Sequence, residues 1–273
     1  MRVIVTRPAR EAQAWVAALQ QAGHAALALP LIEIAPAPDL DAVRAVWAQW
    51  GADSQRWQAL MFVSVNAVEG LFAARPADAP LVPALQAEAW APGPGTVRAL
   101  QAAAWPSARI VAPSEDAPQF DSEALWARVG DRLGPHSRVL IVRGASALEG
   151  SGAVSHGVGR DWFARQVRAA GGQVDFLAAY QRRPPLWTDA EREAATRLAA
   201  DAEAVWLFSS SEAVRHLRQL LPEQDRRAAR ALVTHERIAQ AARDAGFGEV
   251  VVSRPALADV SQALTAYAQR APR

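Results

Sequence analysis

Cysteine is absent from this 273-residue chain. That removes disulfides, thiolate metal sites and cysteine nucleophiles together, and fits a reducing compartment. Lysine is absent too, since all 29 basic residues are arginine. Neither a Schiff-base lysine nor a P-loop lysine can therefore operate. Tyrosine occurs twice, at 180 and 267, so any role for a phenol has few candidates. No apolar run reaches the ~20 residues needed to span a bilayer. An excess of one charge is also missing: the net charge of +1 argues against a generally basic nucleic-acid binder. The five histidines form no close pair, which gives a metal site little support. The chain enters a strand pattern at once, without a charged-then-apolar leader. These absences together predict a cytoplasmic protein that holds no metal and binds neither membrane nor nucleic acid.

The chain is 51% apolar with ten tryptophans, enough to fill the cores of two α/β domains. Genomic base composition accounts for most of the arginine bias. Even so, a guanidinium pairs well with a carboxylate through two parallel N–H groups. The most informative feature is an internal repeat. RVIVTRP at 2–8 returns as RVLIVRG at 138–144, and FVSVNAVEGL at 62–71 returns as FSSSEAVRHL at 208–217. Each is an apolar run ending in a small polar or arginine residue before a helical pattern, which reads as a buried strand feeding a helix. A duplicated α/β unit predicts two similar lobes, and two lobes predict a cleft where a ligand binds.

Along the chain, about ten short strands alternate with helices, the pattern of parallel-sheet α/β domains. Two Pro-bearing extended segments interrupt it, LIEIAPAPD from 31 and YQRRPP from 180. The first reads as a linker rather than a core strand. Both are candidate crossing points, and the alternation alone leaves tandem halves or a chain that crosses and returns equally open. GASALEGSGAVSHGVG at 144–159 is rich in Gly, Ser and Ala. It is either an insertion or a cover over a ligand.

Several segments together resemble the uroporphyrinogen-III synthase family. They are VTRP at 5–8, FVSVNAV at 62–68, APGPGTVRAL at 91–100, IVRG at 141–144, GRDW at 159–162, YQRRPP at 180–185, FSSSEAVRHL at 208–217 and THERIAQAA at 234–242. They span the chain in the family's order. The resemblance implies two flavodoxin-like parallel-sheet domains joined by two crossing extended segments. One domain would hold 1–35 and 184–273, the other 36–180, with linkers at about 31–37 and 179–185. It implies a cofactor-independent hydro-lyase that closes the linear tetrapyrrole hydroxymethylbilane to uroporphyrinogen III, with its last ring inverted and water lost. It also implies a monomer that receives its substrate by transient handover from the deaminase that makes it.

Tyr180 matches a family tyrosine and is the candidate catalytic donor, since a phenol stays protonated at neutral pH. The alternative is a tyrosine that only packs. Arg7 and Arg143 end equivalent strands and are candidate carboxylate binders, or else partners of a local acid. Arg160 reads as a clamp, unless Asp161 beside it makes it a structural ion pair. Thr96 after Gly95 reads as a substrate contact, as an ordinary N-cap, or as both. Ser64, Ser209 and Ser210 follow the same logic at other strand–helix joints. Thr234 remains in a segment that departs from the family pattern of Gly and paired hydroxyls, and Arg237 there offers side-chain charge instead. Two other classes compete. A non-catalytic two-lobed binding protein for a polyanionic ligand predicts a leader or a DNA-binding helix pair. A flavin or nucleotide enzyme needs a phosphate loop after the first strand, where TRPARE offers a poor backbone cradle.

Overall fold

A computed structural model describes residues 1–80, 82–84, 86–114, 117, 119–146 and 158–270. The described chain runs β1 (Arg2–Val5), α1 (Ala9–Gln21), β2 (Ala26–Ala28), β3 (Glu33–Pro36), α2 (Leu40–Ala52), β4 (Ala59–Phe62) and α3 (Val65–Ala73). It continues through β5 (Glu88–Trp90), α4 (Pro94–Ala102), β6 (Ile110–Val111), α5 (Ser122–Val129), β7 (Arg138–Ser146), α6 (Val158–Ala169) and β8 (Gln173–Arg183). The last part is α7 (Asp189–Ala200), β9 (Ala204–Phe208), α8 (Ser211–Leu220), β10 (Arg230–Val233), α9 (Glu236–Asp244), β11 (Glu249–Val252) and α10 (Leu257–Arg270). The chain divides into two compact units. One is Met1–Glu33 with Arg183–Arg273; the other is Ile34–Arg182.

The first unit carries a parallel five-stranded sheet in the order β11-β10-β9-β1-β2. Its central strands are buried on both faces, as parallel strands covered by helices must be. Val3, Val5, Val205, Leu207 and Leu232 pack against α1 and α10 through Leu19, Val260 and Leu264. The other face stacks Trp206 on Phe208, with the Phe247 ring edge-on to both.

The second unit carries a six-stranded sheet in the order β3-β8-β7-β4-β5-β6. The pairings among β8, β7, β4, β5 and β6 are parallel, and the sheet as a whole is mixed. Side chains alternate between its two cores, as a period of two requires. Leu60, Phe62, Leu140 and Val142 face α2, α3 and α4. Ala59, Met61, Val139 and Ile141 face α5 and α6. The segment after residue 31, expected to be a linker, holds the boundary between the two units and also contributes β3 as an edge strand. An edge tolerates Pro36, which has no N–H to donate. The repeat now has a structural form. β1 lies beside β9 in the first sheet, and β7 lies beside β4 in the second.

At the amino edge of the second sheet, Asp175 accepts from Trp57 Nε1 at 2.7 Å and from Arg138 Nε at 2.7 Å and Nη2 at 3.1 Å. Burial pushes the Asp175 carboxyl up. The hydrogen bonds from Arg138 and Trp57, with the charges of Arg138 and Arg56, outweigh it and hold the carboxyl below its ordinary 3.8. A carboxylate whose pKa is lower folded than unfolded stabilises fully above the unfolded value, and that contribution fades as pH falls through the folded one. We expect Asp175→Asn to lower stability at pH 7 and to flatten the loss between about pH 4 and the acid transition. Urea titrations across that range check it; parallel curves for the two proteins would refute the linkage.

Candidate active site

In parallel sheets ligands collect beyond the carboxyl ends of the strands, where helix amino termini point. In the second unit that edge holds, from strand to neighbouring strand, Tyr180 on β8, Arg143 and Gly144 on β7, Ser64 after β4, and Gly93–Thr96 after β5. In the first unit it holds Thr234 after β10, Ser209 and Ser210 after β9, and Arg7 after β1, with Arg237 in the first turn of α9. The candidates thus form two groups, each described on its own sheet.

Ser64 caps α3, its Oγ accepting from Ala67 N–H at 3.3 Å. The same Oγ lies 3.2 Å from the Tyr180 phenol oxygen. Tyr180 is 5% exposed and belongs to the core between the sheet and α3. Beside it the β7–β8 register slips: Arg143 faces Ala178 and Gly144 faces Tyr180, so Ala179 is the extra residue of a bulge. Arg143 is 2% exposed, and its guanidinium sits 4.1 Å over the Phe176 ring. It is therefore held by packing as well as by charge.

Thr96 is not the N-cap that the sequence suggested. α4 starts two residues earlier, with Gly93 as cap and Pro94 in the first turn, and Thr96 is buried within the helix. Proline suits that turn because its missing N–H would have had no partner there. Arg160 falls in α6, but its side chain lies outside the described residues, as does most of the 144–159 segment.

In the first unit, Thr6 is buried and donates to the Leu207 carbonyl at 2.7 Å, tying β1 to β9. Arg7 bonds Glu11 at 3.2 Å and lies 4.3 Å over the Trp15 ring. These contacts leave its side chain 17% exposed, with only part of its fork committed. Ser210 caps α8 by accepting from Glu212 N–H. His235 caps α9 by accepting from Arg237 N–H at its Nδ1, so that end of the altered segment keeps a cap where the family pattern has hydroxyls. Arg237 is exposed, and Thr234 donates its backbone N–H to Phe208. Among the described residues no group of His, Cys, Asp and Glu could hold a metal ion. Nor is any described helix long and apolar enough to cross a membrane.

A family model described as uroporphyrinogen-III synthase HemD matches residues 13–260. The chain belongs to the uroporphyrinogen-III synthase family. It is an enzyme of the hydro-lyase type whose substrate is hydroxymethylbilane, which it cyclises to uroporphyrinogen III. Among solved structures it is similar to the uroporphyrinogen-III synthetase of Helicobacter pylori, at 16% identity and a TM-score of 0.59. That likeness covers 99% of this chain and 100% of the other. It is also similar to a mutant uroporphyrinogen III synthase of the extremely thermophilic bacterium Thermus thermophilus, at 18% identity and a TM-score of 0.51, over 99% and 100%. At such identities the likeness is one of fold, and it agrees with two α/β domains.

Sequence reasoning singled out Tyr180 and Ser64 separately and missed what joins them. Gly144 ends a quoted motif but drew no attention. Gly70 did carry a signal, since glycine inside a helix costs stability and usually answers a close approach.

Proposed function

We propose that the synthase reaction is initiated at the carboxyl edge of the second sheet, with Tyr180 as proton donor to the leaving hydroxyl. The observation that carries this reading is the phenol–Ser64 contact at the amino terminus of α3. The electron-rich terminal pyrrole pushes out the hydroxyl, Tyr180 supplies the proton, and water leaves with formation of an azafulvene cation. The substituted carbon of the last ring attacks that cation, and the resulting spiro intermediate breaks and recloses. The proton finally lost from the new ring junction returns to the phenolate. Acid catalysis of this type contributes about 100-fold or more; the remainder is positioning of a flexible chain.

Arg143, Thr96 and Arg160 in the second unit serve the substrate's carboxylates, as do Arg7, Ser209, Ser210, Thr234 and Arg237 in the first. The buried Arg143 and the half-buried Arg7 suit that role, because charge-assisted bonds strengthen away from water. The protein acts as a cytoplasmic monomer that takes its substrate by transient handover from the deaminase, and its chemistry needs no cofactor.

The test is a coupled assay in which porphobilinogen and a deaminase supply the linear tetrapyrrole and the oxidised porphyrin isomers are separated. Adding this protein is expected to shift the product from isomer I to isomer III. Isomer I alone, from folded protein, would refute the reading. In the same assay Arg7→Ala is expected to raise KM about 10-fold with kcat nearly unchanged, the pattern of a lost binding contact. A fall in kcat at constant KM would instead place Arg7 in the chemistry.

A further inference from the structure

The two halves of the repeat can be aligned residue by residue, and they differ where a helix meets its neighbouring strand. Val3 of β1 corresponds to Val139 of β7, and Ser210 before α8 to Ser64 before α3. The neighbouring strands follow from the register: Val3 faces Ala26, and Val139 faces Val174. Leu31 then corresponds to Ala179, Ile32 to Tyr180, Pro8 to Gly144 and His216 to Gly70. In the first unit, His216 Nδ1–H donates to the Leu31 carbonyl at 2.6 Å, so an imidazole fills the space between helix and chain. In the second unit no side chain stands there. A Cβ on Gly70 would lie 2.2 Å from the Ala179 carbonyl oxygen, so α3 rests directly against the bulge. The same holds across the strand pair, where a Cβ on Gly144 would lie 2.4 Å from Tyr180 Cζ and 2.8 Å from its hydroxyl.

From this we infer that Gly70, Gly144 and Ser64 form a positioning device for the Tyr180 phenol. The inference rests on the reading of Tyr180 as proton donor. Gly70 lets α3 press on the extra residue Ala179, which holds the bulge that turns Tyr180 toward the helix. Gly144 gives the ring a flat seat. Ser64 Oγ already accepts the Ala67 N–H, so its single proton is free to point at the phenol oxygen 3.2 Å away. In that arrangement Ser64 donates to Tyr180, the phenol's own proton points to the leaving hydroxyl, and the phenolate left after transfer keeps a donor. The first unit has Ile32 in place of the tyrosine and so no phenol at that position, and His216 bridges helix and chain there instead.

The experiment is a set of double-mutant cycles read as kcat and KM in the isomer III assay. Ser64→Asp keeps an N-cap acceptor but has no proton to donate, whereas Ser64→Thr keeps both. Gly144→Ala adds the Cβ that meets the ring. The expected result is that Ser64→Asp and Gly144→Ala each lower kcat about 10-fold or more with KM nearly unchanged. Ser64→Thr restores most of the loss. In the Tyr180→Phe background neither Ser64→Asp nor Gly144→Ala costs anything further, because the group they position is gone. Losses that multiply in that background would overturn the device while leaving Tyr180 as donor. If Tyr180→Phe alone keeps full turnover, the donor reading itself fails, and the device with it. Should Gly144→Ala not fold, the Ser64 cycle decides alone.

Discussion

Tyr180→Phe is expected to lower kcat by about 100-fold or more, the low end of what a positioned acid contributes, while barely moving the melting temperature. The two effects separate because the substitution deletes one hydroxyl and leaves the ring. The ring's packing in the core between the second sheet and α3 persists, and one hydrogen bond to Ser64 is lost. A single such bond is worth about 1 kcal/mol, which for a domain of this size is about 2–4 °C. Ser64 keeps the Ala67 N–H bond, and because it is only half-buried its freed proton can turn to water. Thermal melts run beside the isomer III assay check the prediction. Proportionate losses in both would make Tyr180 a packing residue.

Trp47→Ala carries the largest expected cost in stability, about 3–5 kcal/mol. Trp47 is fully buried, with its ring 5.6 Å from Trp50 and 5.5 Å from Phe72. The Arg75 guanidinium lies 5.7 Å from its centroid. Its indole N–H donates to the Leu71 carbonyl at 3.0 Å. That carbonyl is in the last turn of α3, where helix carbonyls have no partner of their own. The substitution therefore opens a cavity and also uncaps the far end of the helix that Ser64 begins. Trp47→Phe, which keeps most of the volume but not the donor, is expected to cost about 1–2 kcal/mol. Urea denaturation with a fixed slope measures both. A Trp47→Ala loss below about 1 kcal/mol would mean that the site collapses around the missing ring.

Much of the architecture was legible in the residues. The strand runs at 3–5, 59–62, 139–142 and 204–208 are continuous apolar stretches, and all proved to be central strands. Burial on both faces removes alternation and leaves just such runs. Segment 31–37 was harder to read. An edge strand of four residues carrying a proline looks like a linker, because only its partner β8 makes it a strand. At Thr96 the local pattern misled: a hydroxyl after glycine resembles a cap, yet the preceding Gly93-Pro94 had already begun the helix.

For the candidate site the division is similar. The chain alone determined which residue types are present at strand ends, that Arg7 and Arg143 correspond, and that a tyrosine opens the second extended segment. Those properties are local, written in composition, period and repeat. Only the tertiary structure decided that Ser64 meets Tyr180, because the two lie far apart in sequence and come together through two glycines and a bulge. A repeat aligns positions; it does not show that one half closes a gap with an imidazole and the other with bare backbone. That difference depends on how near a helix may approach a strand, a distance set by the whole sheet and not by either segment.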